Sequence, residues 1–168
     1  MTTEAEGPEA VKQATDMCLR LLAMRARSRH ELTLALKRKG FSAEVQAQVL
    51  EKLQGYGYID DASFARDRAA SLLRRGRLGP EGVLQKLEAH GLKGEEARAA
   101  LATASGAVAF EPLEAARKVL EQRRLWGREL APKERARAGR LLHSRGFSED
   151  VIHRLLGEPS LDPSERDD

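Results

Sequence analysis

The chain has 168 residues, of which 41% are hydrophobic, 33% charged and 4% aromatic, with a formal net charge of +3. These values suit a soluble helical protein with a core of leucine, alanine and valine. No apolar run approaches the roughly 18 residues needed to span a bilayer, and a single cysteine, Cys18, excludes an internal disulfide.

Charge is distributed unevenly along the chain. Residues 1–9 carry −3 and residues 158–168 carry −4, so the body between them carries +10. Such a body is expected to attract a polyanion or an acidic protein surface, although solvated basic helix faces are also common. We expect both acidic ends to be disordered. The polar N-terminus does not resemble a secretion signal, which favours a soluble, cytosolic protein.

The first predicted helix spans about residues 10–26 and has one apolar face. Cys18 lies on that face, where a small core residue is favoured over a reactive thiol. Ser28 and Glu31 have the spacing of a capping box, which predicts the start of a second helix. Gly40 supplies the left-handed residue that ends it.

A third helix is capped by Ser42 and completes the first predicted unit. The junction 55–61 follows, in which glycines allow a turn and both tyrosines and Ile59 are expected to pack. An aspartate then caps the helix that starts near Ala62. Four residues are interpreted as a structural junction that sets the angle between units one and two: Tyr58, Asp60, Asp61 and Phe64.

Later helices begin at prolines, because Pro80, Pro112 and Pro132 each stand at a favourable first helical position. Residues 103–110 are small and weakly patterned, as in a linker or a frayed helix end. The count is nine helices in three units. The expected boundaries are 10–54, 55–102 and 112–157 for the three-helix repeats, with 103–111 as a linker between the second and third.

One pattern occurs three times: the end of an amphipathic helix, a glycine, and an apolar residue that leads into the next helix. The glycines are Gly40, Gly91 and Gly146, about 51 and 55 residues apart, a period typical of a helical array. Counted from the turn glycine, the apolar positions of the last helix fall one residue later in unit two than in unit one, which predicts an insertion near Gly94. The predicted fold is therefore all-α, an elongated array of three tandem three-helix repeats. Such an array favours binding over catalysis.

Catalytic signatures are missing from the sequence: it contains no Walker A loop, G-x-S-x-G elbow or H-E-x-x-H motif, and no Cys or His cluster with zinc spacing. Asp60 and Asp61 could bind magnesium or act in acid–base catalysis, but their position before a helix favours capping. His90 is interpreted as a residue that stabilises the exposed carbonyls of a helix end. We expect no enzyme, no catalytic residue, no metal and no cofactor.

Basic residues give the stronger signal. Lys and Arg outnumber acids by seven to one in residues 17–39, six to two in 66–86 and ten to four in 112–145. Arginine predominates, which suits bidentate contact with phosphates or carboxylates. Trp126 is the one candidate for stacking on a base, but such a residue is more often part of a core. The candidate contacts with a partner or with phosphate are Arg25, Arg27, Arg74, Arg75, Arg77, Arg123, Arg124 and Arg128.

Four segments in order resemble a known family. Residues 27–32 and 36–41 (Leu-Lys-Arg-Lys-Gly-Phe) resemble the opening motif of the RecX regulatory proteins. Residues 57–65 (Gly-Tyr-Ile-Asp-Asp-Ala-Ser-Phe-Ala) resemble the most distinctive motif of that family. Residues 79–91 are similar to its next segment, and residues 145–152 to its closing repeat.

The resemblance covers about residues 11–156 and implies an array of three-helix repeats. It also implies a bacterial, cytosolic modulator of the RecA recombinase. Such a protein binds the RecA monomer and chiefly the RecA filament on single-stranded DNA. It inhibits the ATPase, strand-exchange and coprotease activities by blocking filament extension or promoting disassembly. We further expect a monomer with no membrane association and at most weak, non-specific contact with DNA.

The alternative is a general helical DNA-binding protein that acts without RecA, since a three-helix unit can resemble a helix-turn-helix. Against this, no second helix carries the cluster of Asn, Gln and Arg expected of a recognition helix.

Overall fold

The computed structural model describes residues 7–157, and these form nine α-helices and no strand. The prediction of an all-α protein with nine helices is confirmed for this part of the chain. None of the described helices is long and apolar enough to cross a membrane. The helices are α1 (Pro8–Met24), α2 (Arg29–Arg38), α3 (Ala43–Gly55), α4 (Asp61–Arg75), α5 (Pro80–Ala89), α6 (Gly94–Ala107), α7 (Pro112–Gln122), α8 (Pro132–Ser144) and α9 (Glu149–Leu156).

The buried side chains form three hydrophobic clusters, each enclosed by three consecutive helices. We name these sets of helices group 1 (α1–α3), group 2 (α4–α6) and group 3 (α7–α9). Leu32 and Leu53 are central to the first cluster, and Leu142 is central to the third. Phe110, in the connection from α6 to α7, packs against the clusters of both group 2 and group 3.

Side-chain caps start four of the helices. The hydroxyls of Ser28, Ser42 and Ser148 accept from the backbone N–H three residues later, and the Asp60 carboxylate does the same for Ser63. Ser28 and Glu31 form the complete capping box that their spacing predicts. Each cap satisfies a backbone donor that a helix start would otherwise leave unpaired.

Glycines end the middle helix of each group. Gly40, Gly91 and Gly146 have φ angles of +87°, +81° and +85°, in the left-handed region where a side chain is unfavourable. The apolar residue after each one donates its N–H back to a leucine carbonyl of the helix, which is the Schellman arrangement. The repeated pattern therefore has the local structure that the sequence predicts.

Two boundaries differ from those expected. Helix α1 already begins at Pro8, within the segment 1–9 that was expected to be disordered, because a proline at the first position and Glu9 in the first turn favour a helix start. Residues 1–6 and the acidic segment 158–168 lie outside the described residues. The linker expected at 103–111 is shorter, since α6 continues to Ala107.

The predicted insertion near Gly94 is wrong. The N-caps of α3 and α6, Ser42 and Lys93, both lie two residues after their turn glycines. Counted from those glycines, the buried residues Ala100 and Ala104 of α6 match Val49 and Leu53 of α3. The apparent shift arises because α6 buries small alanines: Ala100, and not the half-buried Leu101, corresponds to Val49, although the buried Ala97 lies one position after the equivalent of Val45.

The groups are joined by one kind of contact that occurs twice. Ser28, the N-cap of α2, donates its hydroxyl proton to the carbonyl oxygen of His90 at 2.8 Å. Gly79, the N-cap of α5, donates its N–H to the carbonyl oxygen of Arg145, also at 2.8 Å. Each acceptor is the residue directly before a turn glycine. The start of the middle helix in one group therefore binds the turn that ends the middle helix of the next.

The turn glycines take part in these contacts through their small size. A Cβ atom on Gly91 would overlap the Cβ of His30, and one on Gly146 would overlap the backbone of Gly82. The corresponding position on Gly40 faces open space. Two of the three glycines are thus needed both for the left-handed turn and for the close approach of the neighbouring group.

Candidate partner-binding surface

Arg25 and Arg128 both bind glutamates inside the chain. The guanidinium of Arg25 donates to both carboxylate oxygens of Glu31 at 3.1 Å, and that of Arg128 donates to both oxygens of Glu134 at 2.9 and 2.7 Å. The two pairs have the same spacing of six residues. They therefore occupy corresponding places in group 1 and group 3, between the end of the first helix and the start of the second.

Each of these glutamates also caps a helix. The Glu31 carboxylate accepts from the N–H of Ser28 at 3.2 Å, and the Glu134 carboxylate accepts from the N–H of Ala131 at 3.0 Å. The hydrogen bonds from Arg128 and from the Ala131 N–H lower the pKa of Glu134 from 4.5 to about 2. Group 2 has glycines in place of both members of the pair, at Gly76 and Gly82.

Of the eight candidate arginines, five are exposed and form no ion pair within residues 7–157. Two end α4, a third follows one residue after its C-cap glycine, and two lie directly after α7. Their side chains are available to an anion in solution, whereas Arg27 is half-buried and donates its Nε–H to the carbonyl oxygen of Leu21 at 3.3 Å. The five are Arg74, Arg75, Arg77, Arg123 and Arg124.

Arg77 lies next to group 3. Its carbonyl oxygen accepts from Nη1 of Arg145 at 3.1 Å, and the following Gly79 donates to the Arg145 carbonyl oxygen. The end of α4 is therefore placed beside the turn between α8 and α9. This contact brings the basic cluster of group 2 to its boundary with group 3.

Arg124 has an unusual backbone conformation. Its φ angle is +58°, in the left-handed region that glycine occupies at Gly40, Gly91 and Gly146. Its N–H donates to the Glu121 carbonyl oxygen at 3.0 Å, so it ends α7 as those glycines end their helices. A non-glycine residue in this region costs about 1 kcal/mol.

The predicted junction residues have different environments. Asp60 caps α4 as expected, with Oδ1 accepting from the Ser63 N–H at 3.0 Å. Oδ1 of Asp61 accepts from the N–H of Arg29 in group 1 at 2.8 Å, so this residue connects two groups. The expectation that the tyrosines pack is wrong, since Tyr56 is 70% and Tyr58 is 56% exposed.

Phe64 and His90 form a contact that sequence reasoning missed. Their rings meet edge to face at a centroid distance of 5.3 Å, and Nδ1 of His90 lies 3.0 Å from Oε1 of Glu31. His90 therefore binds group 1 in addition to ending α5. No local pattern could have indicated the contact between His90 and Glu31, because groups 1 and 2 meet only in the folded chain.

Cys18 is fully buried in the first hydrophobic cluster, as predicted. Burial raises the pKa of its thiol to about 11, so the reactive thiolate is disfavoured. Trp126 likewise packs against the third cluster. Both residues therefore contribute to packing.

Comparisons with known proteins agree on one family. A family model described as RecX, first three-helix domain, matches residues 14–53. The chain is 31% identical over 157 residues to the regulatory protein RecX of Mycolicibacterium smegmatis, covering 92% of this chain and 84% of that protein. It is 33% identical over 161 residues to the regulatory protein RecX of Mycobacterium leprae, covering 90% of each.

The match to some relatives is shorter. With the regulatory protein RecX of Mycobacteroides abscessus, 37% identity extends over 95 residues, 56% of this chain and 47% of that protein. Two solved structures share the fold. A crystal structure of regulatory protein RecX has a TM-score of 0.75 at 23% identity, covering 89% of this chain and 74% of its own. RecX from Lactobacillus salivarius has a TM-score of 0.71 at 18% identity, covering 88% and 94%.

Proposed function

The chain belongs to the RecX family of regulatory proteins, and from this premise we propose that it regulates the RecA recombinase by binding. It binds the RecA monomer and chiefly the RecA filament on single-stranded DNA. It thereby inhibits the ATPase, strand-exchange and coprotease activities, either by blocking filament extension or by promoting disassembly. It acts in the bacterial cytoplasm as a monomer and without catalysing a reaction.

The observation that best supports this proposal is the set of exposed arginines without intramolecular partners. Arg74, Arg75 and Arg77 lie at the boundary of groups 2 and 3, and Arg123 and Arg124 lie in group 3. Within the described chain no carboxylate neutralises them, so they favour contact with an anionic surface. A nucleoprotein filament presents both acidic side chains and phosphates.

The arrangement of three separate hydrophobic clusters also supports binding. Each cluster is enclosed by its own three helices, and the groups meet through helix starts and turns. Successive groups can then place their exposed faces along an extended partner such as a helical filament. Asp60 and Asp61, the only adjacent carboxylates considered for catalysis, are both engaged in hydrogen bonds to backbone N–H groups.

Charge reversal tests the proposed surface. We expect the triple variant R74E, R75E and R77E to bind the RecA filament at least tenfold more weakly, with unchanged helical content, because each lost charged contact is worth about 1 kcal/mol or more. A matched control changes three exposed lysines outside the basic runs: Lys12→Glu, Lys52→Glu and Lys93→Glu. Equal effects of the two variants would contradict a specific basic surface.

The second candidate is a DNA-binding protein that acts without RecA, which the net charge of the body also permits. The salt dependence of binding to single-stranded DNA in the absence of RecA separates the two. Tight binding with a steep salt dependence, together with no effect on RecA, would favour this alternative.

A further inference from the structure

A basic cleft of about 340 Å³ lies in group 3, between the end of α7 and the outer side of α8. Among residues 7–157 its lining consists of three guanidinium groups, two leucines and one hydroxyl, with no carboxylate. The lining residues are Arg123, Leu125, Arg137, Arg140, Leu141 and Ser144. Of these, only Arg123 is among the eight arginines that the sequence indicates as candidate contacts. The cleft as a whole could not be predicted, because it forms only when the helices pack.

The positive charge of the cleft is not neutralised within the described chain. Arg123, Arg137 and Arg140 are exposed and form no ion pair with another residue in 7–157. Glu134 is the acid on α8: its carboxylate accepts hydrogen bonds from Arg128 and from the N–H of Ala131, which lower its pKa, and the nearby charge of Arg137 adds only the smallest part of that effect. Three cations around one cleft, none of them in an ion pair with a carboxylate of residues 7–157, are unfavourable by themselves, and a bound anion would relieve their repulsion.

The rest of the lining restricts the kind of anion. Leu125 and Leu141 supply apolar surface, and the Ser144 hydroxyl donates to the Leu141 carbonyl oxygen at 2.8 Å. No aromatic residue of the described part of the chain lines the cleft, so these residues offer no platform on which a nucleic-acid base would stack. Guanidinium groups beside apolar surface instead suit carboxylates that flank an apolar side chain.

We propose that this cleft binds an acidic peptide segment of a partner protein. Its carboxylates contact the three arginines, and an apolar side chain between them packs on Leu141, beside the largely buried Leu125. The proposal rests on the function proposed above, in that the chain acts by binding a protein, and it assigns one contact of that partner to group 3. The outer face of α8 is then a docking site for acidic protein surface.

The test measures fluorescence anisotropy of a labelled peptide in which glutamate and leucine alternate, titrated with the full chain. The same peptide with glutamine in place of glutamate is the ligand control. We expect the double variant R137Q and R140Q to weaken binding of the acidic peptide at least tenfold, from two lost charge-assisted contacts. The matched control R66Q with K86Q removes the same charge from exposed positions outside the cleft, and it should change affinity less than about twofold.

A second variant shows whether a loss of peptide binding comes from the cleft or from a folding defect. Ser144→Glu keeps all three arginines and adds a carboxylate at the edge of the cleft, and we expect the same loss of peptide binding with unchanged thermal unfolding. Equal loss in the cleft and control variants, or unchanged binding in S144E, would overturn the proposal. Loss of oligothymidylate binding alone, with peptide binding intact, would also overturn it and assign the cleft to nucleic acid.

The proposed function can fail separately from this inference. If the wild-type chain inhibits RecA but does not bind the acidic peptide, the cleft assignment is wrong and the regulatory function stands. If the peptide binds and RecA is unaffected, the cleft is an acidic-peptide site on a protein with another partner.

Discussion

The hydroxyl of Ser28 donates to the carbonyl oxygen of His90 at 2.8 Å, although the two residues are 62 positions apart in the chain. The same oxygen atom of Ser28 also accepts from the Glu31 N–H at 3.2 Å, and thus caps α2. One fully buried hydroxyl therefore starts a helix and connects group 1 to group 2. The equivalent contact from Gly79 to Arg145 connects group 2 to group 3.

Ser28→Ala should cost more than the loss of an ordinary helix cap. We expect a decrease of about 2–4 kcal/mol in the free energy of unfolding, about 1 from the cap and the rest from the unpaired carbonyl of His90. The measurement is urea unfolding followed by circular dichroism. Ser148→Ala is the control, because Ser148 caps α9 without a contact to another group, and it should cost about 1 kcal/mol. Equal costs would mean that the hydroxyl contributes nothing between the groups.

The turn glycines provide a second test of the contact. Gly91→Ala should destabilise the protein by at least about 2 kcal/mol more than Gly40→Ala, because the new Cβ must displace His30 in addition to adopting a positive φ. Gly40→Ala has open space and should lose only the conformational term of about 1 kcal/mol. Thermal unfolding of both variants under the same conditions makes the comparison. Similar melting temperatures would show that the neighbouring group moves aside without cost.

Arg124→Gly should stabilise the fold and weaken binding. Glycine relieves a positive φ of 58°, so we expect a gain of about 0.5–1 kcal/mol in the free energy of unfolding. Arg123→Gly is the control, since Arg123 has a φ of −99° and gains no such relief. Affinity for the RecA filament should fall for both variants. Stabilisation without any loss of affinity would remove Arg124 from the binding surface.

The ion pair of Arg128 and Glu134 should affect how the stability of the fold depends on pH under acidic conditions. The folded-state pKa of Glu134 is lowered from 4.5 to about 2, so its contribution to stability is present above pH 4.5 and is lost as the pH falls through about 2. Replacing Glu134 with glutamine should therefore give a shallower loss of thermal stability across this window. The measurement is the melting temperature as a function of pH for both proteins. Parallel curves would indicate that solvent screens the pair completely.

Local features of the fold could be predicted from the sequence because their causes lie within a few residues. The caps at Ser28, Ser42 and Asp60 and the left-handed turn glycines follow from neighbours three or four positions away. Helix α6 is harder to predict, since its buried face consists of alanines that give little hydrophobic contrast. For that reason the pattern leaves residues 103–107 open between a linker and a frayed helix end, and the register predicted for α6 is wrong.

Of the candidate site, only its richness in arginine could be predicted from the sequence. The sequence identifies arginine-rich runs, but pairing between Arg25 and Glu31 spans six residues and crosses from one helix to the next. The spacings of three and four residues that mark neighbours on one helix face do not indicate such a pair. The contacts of His90 and Asp61 with group 1, and the cleft around Arg137 and Arg140, depend on how helices pack.

The decisive experiment is a titration of this protein into the DNA-dependent ATPase reaction of the cognate RecA. We expect inhibition that the R74E, R75E and R77E variant loses and that the lysine control keeps. Inhibition well below one copy per RecA would indicate an effect on filament growth or disassembly, and inhibition only near equal amounts would indicate coating of the filament. An unchanged ATPase rate at every ratio, with the protein folded and binding DNA, would mean that the chain does not regulate RecA.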